Sequence, residues 1–327
     1  MTIGAHSENS PRPRSHSVRT GFVFLHAPFR GFAVAVAFSV AACRGQPHGA
    51  SPTNGSIALV DDAGDTVRLA RPAERVVSLV PSATETIIAL GAANTIVGRT
   101  RLDVAKEVAS LPSVGGTVDA SVESIVALHP DLVIGWGKDL QQALRARLAS
   151  VNVPVFAMRA VDTSDAFRGI VSLGRLLARE SAAASLGASI RATLDSVRAA
   201  IAKAPSRDVM FVIYPEPVMT AGPQTFVDEL IGVAGGRSVF HDLTDQWPTV
   251  SMEEVLRRRP DLLIVSQSGS ENALEQFRGR TGWRDLPAVR AGRVATVSAD
   301  LTQRPGARMG EAARALQFAI HPETRKR

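Results

Sequence analysis

The chain has 327 residues, 45% of them hydrophobic and 21% charged, with a formal net charge of +6 and one cysteine. Four arginines and one acid fall in the first 42 residues, so the remainder carries a net +3, too little to argue for a nucleic-acid partner. The lone cysteine excludes an intrachain disulfide, and the length suits two domains of ordinary size.

Residues 1–42 read as an export signal: a basic leader with Arg12, Arg14, Arg19 and Arg30, then an apolar run, Gly31 to Ala42, too short to span a bilayer. The run closes on Val40-Ala41-Ala42-Cys43, similar to a bacterial lipobox, which makes Cys43 the expected lipidation site and a membrane the expected anchor. Residues 43–56, rich in Gly, Pro and Ser, are expected to be a flexible tether. An exported body on the outer face of a membrane is the implied location.

Residues 57–69 alternate apolar and polar around Asp62-Ala63-Gly64-Asp65, a hairpin pattern, with Asp61 and Asp62 expected to be solvated in its turn. Arg75–Val80 is a buried-strand run, followed by a loop at Pro81–Thr84 and a helix that ends at Gly91. Further strands are expected at 96–98, 132–134 and 153–156, with helices opening at Ser121 and spanning 141–149. Residues 162–203 carry no strand pattern, and Ala182–Lys203 predicts one helix of ~33 Å at the usual rise. Beyond it the plan returns: strands at 209–214, 262–265 and 294–297, helices at 225–234 and 251–258, with Ser251 and Glu254 spaced for a capping box. The predicted architecture is α/β: a lobe at 57–161, a helical connector at 162–203 and a second lobe at 204–327. Each lobe is Rossmann-like with a central parallel sheet, and a ligand cleft lies between them.

Residues 121–134 (SVESIVALHPDLVI) and 251–264 (SMEEVLRRRPDLLI) are one phrase written twice, 130 residues apart. That offset is too long for a solenoid repeat and implies the same helix-to-strand element in each lobe. In open parallel sheets, ligands sit at the carboxyl ends of strands. That rule singles out the loops at residues 81–84, with Ser82, and 135–138, with Trp136, and in the second lobe those at residues 215–219, with Met219, and 266–269. Trp247 precedes the second copy of the repeat, and with Trp136 it would offer flat apolar faces to a large planar ligand. Trp283, in a helix-to-strand turn, is better suited to core packing.

The run RVVSLVPSATETIIALGA, then LPSVGG, the repeat, TFVDELIGVAGGRSVF and QWPTVSMEEVLRRRPDLLIV resemble the cobalamin and iron–siderophore class of periplasmic binding proteins. These are helical-backbone receptors of ABC importers. The resemblance implies two α/β lobes spanned by one long helix, capture of one ligand between them, and delivery to a permease dimer with its ATPase subunits. It also implies that Glu123 and Glu253, at matching positions of the repeat, meet arginines of the permease. Trp136, Trp247, Asp300 and Arg304 occupy positions that resemble those of cobalamin-binding members. One departure is Arg99-Thr100-Arg101-Leu102-Asp103, where relatives carry an aromatic-rich loop; two arginines suit an anionic ligand. The implied ligand is a corrinoid first, then a ferric siderophore, then haem. A monomer is expected, with a membrane-anchored sensor as the non-transport alternative. The sequence contains no GxGxxG at a strand-to-helix turn, no P-loop, no GxSxG and no HExxH, so catalysis is not expected. No His/Cys cluster has metal-site spacing, and no resident cofactor is expected.

Overall fold

A computed structural model describes residues 56–137, 139–269 and 272–326; the predicted signal, Cys43 and all of the tether but its last residue lie outside them. The chain opens on a hairpin of β1 (Ile57–Val60) and β2 (Thr66–Leu69), paired Ile57 to Leu69. Four strands follow in one wholly parallel sheet: β3 (Val76–Ser78), β4 (Ile96–Gly98), β5 (Leu132–Trp136) and β6 (Val155–Met158), in the order β4-β3-β5-β6. All residues of β3 and β6, and all of β5 but Trp136, are buried, which is why these strands read as continuous apolar runs.

Asp61 departs from expectation. It is 5% exposed, not solvated. Its Oδ1 accepts from the backbone N–H groups of Ala63 and Asp65 at 3.0 Å each, and its Oδ2 pairs with Arg145 at 2.6 Å. Oδ2 also accepts from Ala157 N–H at 3.0 Å, while the Asp62 carboxylate accepts from Arg159 N–H at 2.7 Å. β6 is an edge strand whose outward groups need partners, and the hairpin turn supplies them.

Helix α1 (Pro81–Ala89) starts directly after β3, so the expected Pro81–Thr84 loop is its first turn. Proline is at home there, where its missing N–H would lack a partner in any case. Helix α2 (Val122–Val126) is capped as expected by Ser121, whose Oγ accepts from Ser124 N–H at 3.1 Å. Helix α3 (Asp139–Ala149) leads into β6. The connector holds two helices, α4 (Thr163–Leu176) and α5 (Glu180–Ile201). The second is the long one, two residues earlier than expected and 22 residues in length.

The second sheet has β7 (Arg207–Pro215), β8 (Val218–Thr220), β9 (Gly236–Ser238), β10 (Leu262–Gln267) and β11 (Val294–Ser298). Its order is β11-β10-β7-β8, with β9 also on β7. β8 runs antiparallel to β7, so the expected loop at Pro215–Met219 is a hairpin. Strands of three residues show no periodicity, and neither β8 nor β9 is legible beforehand. The helices are α6 (Phe226–Val233), α7 (Met252–Arg258), α8 (Ala273–Gly279), α9 (Pro287–Arg290), α10 (Ala299–Thr302) and α11 (Met309–Ile320). Ser251 caps α7, but the Glu254 side chain turns to Arg257 and Arg258 and does not close the capping box. Two salt-bridging guanidiniums outcompete one backbone N–H.

One apolar cluster runs from Val76 and Ile87 through Ile170 and Leu194 to Phe211, Leu230 and Leu316, beneath both sheets. Each sheet's other face has its own cluster, around Val133 and Leu148 in the first lobe and around Val255 and Phe277 in the second. Trp283 belongs to the latter, 2% exposed and stacked on Phe277 with centroids 4.3 Å apart.

Candidate ligand cleft

The carboxyl ends of the two sheets face each other, and two adjoining hollows lie between them. The first, about 270 Å³, takes Trp136, Ala160 and Val161 from the first lobe and Ile213, Met219, Phe226 and Trp247 from the second. The second, about 470 Å³, adds Ser82, Thr117 and Val118 on one side and Ser268, Asp300 and Arg304 on the other. Trp136, Gln303 and Pro305 border both, so they form one cleft. Together they fall in the size range of small-molecule and cofactor sites.

Each aromatic is there for a local reason. Trp136 is the last residue of β5, not part of a loop, because Met158 of β6 pairs with it. Strand alternation then turns its ring to the cleft side, over the shared core. Trp247 is 42% exposed in the segment before α7, where Gln246 O accepts from Gly222 N–H at 2.8 Å. Met219 faces the cleft from β8, and Phe226 opens α6 just after its cap, Thr225.

Six of the seven ligand residues expected from sequence thus border the cleft: Trp136, Trp247, Met219, Ser82, Asp300 and Arg304. Arg101 does not. Its Nη1 lies 2.9 Å from both Asp119 oxygens, and a Cβ on Gly116 would meet its guanidinium. Arg99 donates to the carbonyls of Val108, Thr100 and Ala109, stapling its own loop. The two arginines that suggested an anionic ligand are therefore spent on the fold. Reasoning by loop position could not see this, since Asp119 and Val108 come from outside the loop.

The second hollow is lined by opposite charges. Arg304 Nη2 lies 2.7 Å from Asp300 Oδ1 and Nη1 donates to Glu85 Oε1 at 2.8 Å. Around the first hollow the polar groups are neutral: Gln303 Nε2 donates to Ser266 Oγ at 2.8 Å, and Thr302 Oγ1 donates to Ser298 O at 2.9 Å. Gln303, not among the residues expected from sequence, lies between Asp300 and Arg304, and that position was the signal for it. Phe226 was hidden in the apolar stripe of its helix. Among the described residues, no His or Tyr borders either hollow. Tyr214 is 57% exposed, His241 pairs with Asp228 at 2.8 Å, and His321 is buried beside Gly235.

Away from the cleft, Glu123 and Glu253 stand exposed in the first turns of α2 and α7. Glu123 pairs with Arg147 at 2.8 Å. A hydrogen bond from its own backbone and the charge of Arg147 hold its carboxyl below the usual glutamate range. Glu253 has no hydrogen-bond or ion-pair partner among the described residues.

A profile of the periplasmic binding protein family, Peripla_BP_2, matches residues 76–301, more than half of the chain. The chain belongs to this family, whose members bind substrates outside the cytoplasm and are not enzymes. It is 29% identical over 276 residues to the uncharacterized ABC transporter substrate-binding lipoprotein YvrC of Bacillus subtilis, covering 82% of this chain and 86% of that one. It is 27% identical over 236 residues to a vitamin B12-binding protein of Vibrio parahaemolyticus, covering 72% and 84%. The periplasmic heme-binding protein RhuT from Roseiflexus sp. RS-1 superposes with a TM-score of 0.69 at 26% identity, covering 77% of this chain and 99% of that structure. The two-lobed α/β architecture with parallel-sheet cores agrees with such structures.

Proposed function

We propose that this chain is the substrate receptor of an ABC importer and that its ligand is a corrinoid of the vitamin B12 type. The observation that carries the reading is the pairing of Trp136 and Trp247 from opposite lobes on one apolar hollow, beside a second hollow whose charges are internally compensated. A broad, largely uncharged ring system with peripheral amides suits both halves. Aromatic faces cover the ring, while Ser82, Asp300, Gln303 and Arg304 can hydrogen-bond amides. A ferric siderophore would want free cations, and Arg99 and Arg101 are occupied. Haem would want an axial ligand, and Met219 is the one sulfur among the residues bordering the hollows.

Among the relatives, one is named for vitamin B12 binding and another for an ABC transporter, which supports the reading, while the haem-binding RhuT keeps haem as the alternative. In the same reading, Glu123 and Glu253 dock onto a permease dimer with its ATPase subunits, and Cys43 carries a lipid that holds the receptor at the membrane. The test is titration of the purified chain with cyanocobalamin, haem and ferric siderophores, following tryptophan fluorescence. Quenching by cyanocobalamin at micromolar concentration is the expected result. No binding there, with binding of haem or a siderophore, would replace the corrinoid by that ligand.

A further inference from the structure

Arg304 reaches across the cleft. It follows α10 in the second lobe, yet its Nη1 donates to Glu85 Oε1 of α1 at 2.8 Å and its Nη2 donates to Leu102 O at 2.9 Å. Both partners belong to the first lobe. The crossing point is tight: a Cβ on Gly306, two residues on, would stand 3.1 Å from Ser82 O and from Thr86 Oγ1. The side chains of Arg304 and Glu85 are only 14% and 10% exposed. Glu85 does not border the cleft; it lines a separate hollow behind it, with Val104, Arg308 and Glu311. Arg304 borders the cleft itself, and its Nε has no acceptor among the described residues.

We propose that Glu85 is a positioning residue of the ligand cleft: it draws Arg304 across the gap, fixes the guanidinium in the wall of the larger hollow, and clasps the two lobes at that point. The proposal rests on the reading of the cleft as the ligand site. A flexible arginine would lose side-chain entropy on meeting a ligand, and Glu85 removes that loss beforehand. A largely buried ion pair with two further anchors is the kind of contact that favours one arrangement over others. Arg308 and Asp300 from the second lobe also face Glu85, and Glu107 and Glu311 line the hollow behind it. Burial pushes the Glu85 carboxyl up, against the opposing pull of Arg304. As pH falls, Glu85 therefore takes its proton ahead of ordinary glutamates, and the clasp loses its charge first.

The experiment uses the full chain with Cys43→Ser, which removes the one native thiol. Spin labels go on Val151→Cys and Ala291→Cys, both exposed and in different lobes. Glu85→Gln and Arg304→Gln should each broaden the interlobe distance distribution, with the double variant no broader than either alone. Acidification should broaden the parent, a readout that needs neither Glu85→Gln nor Arg304→Gln to fold, and should leave Glu85→Gln unchanged. In parallel, Glu85→Gln should weaken cyanocobalamin binding roughly tenfold and have no further effect in an Arg304→Gln background. Unchanged distances in Glu85→Gln and in acidified parent overturn the clasp; so does unchanged affinity in a parent that binds. If the parent binds no cyanocobalamin, the corrinoid reading fails, and the distances alone decide the clasp.

Discussion

Set side by side, the two copies of the repeated segment, residues 121–134 and 251–264, do the same backbone work with different surfaces. Ser121 and Ser251 each accept from the N–H three residues on. His129 and Arg259 both take left-handed φ values, 48° and 49°, just before the proline, although neither is glycine. Asp131 and Asp261 both reach the start of the neighbouring strand. Asp131 does so with two bonds, from Glu74 and Arg75 N–H at 2.9 and 3.0 Å, and Asp261 with one, from Asp208 N–H at 3.4 Å. Elsewhere they part. Leu128 packs beside the first sheet, while its counterpart Arg258 lies over Phe240 and pairs with Asp242 and Glu254. Identical residues in both copies therefore report fold, with one exception. Glu123 and Glu253 are repeated without a shared structural duty, since only the first has a partner.

That exception gives the largest expected effect. Reversing both charges, Glu123→Arg with Glu253→Arg, should abolish ligand uptake by cells while leaving the affinity of the purified protein unchanged; loss of affinity would place these residues in the fold instead. Next comes the aspartate pair. Asp131→Ala should destabilise by about 1 kcal/mol in denaturant unfolding, because two exposed backbone donors ahead of β3 exchange a carboxylate for water, and Asp261→Ala by less. Equal losses would erase the distinction drawn from the bond lengths. The smallest effect separates Glu254 from Ser124, its counterpart. Hydrogen bonds from Arg257 and Arg258 lower the Glu254 carboxyl to about 2 from an ordinary 4.5. A depressed carboxyl contributes stability that is present above its ordinary value and lost as pH falls towards about 2. Glu254→Gln should flatten that acid limb slightly, and NMR titration of the carboxyl should find it far below its neighbours.

Much of the architecture was legible because it rests on long periodic runs: the parallel strands, the 22-residue helix and the serine caps all arise from local pattern. Strands β8 and β9 were not, since three residues carry no period and pairing with β7 alone defines them. The cleft divides along the same line. Trp136 and Met219 follow from position at strand ends, and Trp247 from its place before the second copy of the repeat. The duties of Arg101, Arg99 and Arg304 depend on partners 18, 10 and 219 residues distant, which no local reading supplies. Asp61 failed in the same way, its carboxylate meeting Ala157 N–H 96 residues on.

The apolar cluster that passes beneath both sheets makes the two lobes a single thermodynamic body. Neither sheet can shed its inner face without exposing the other's. A ligand that touches only the loops at the strand ends consequently draws on, and adds to, the free energy of the whole chain. Occupancy of the cleft becomes a property that heat or protease would sense at its far side. The lobes thus share one base, and what the Arg304–Glu85 contact holds is the spacing of their rims.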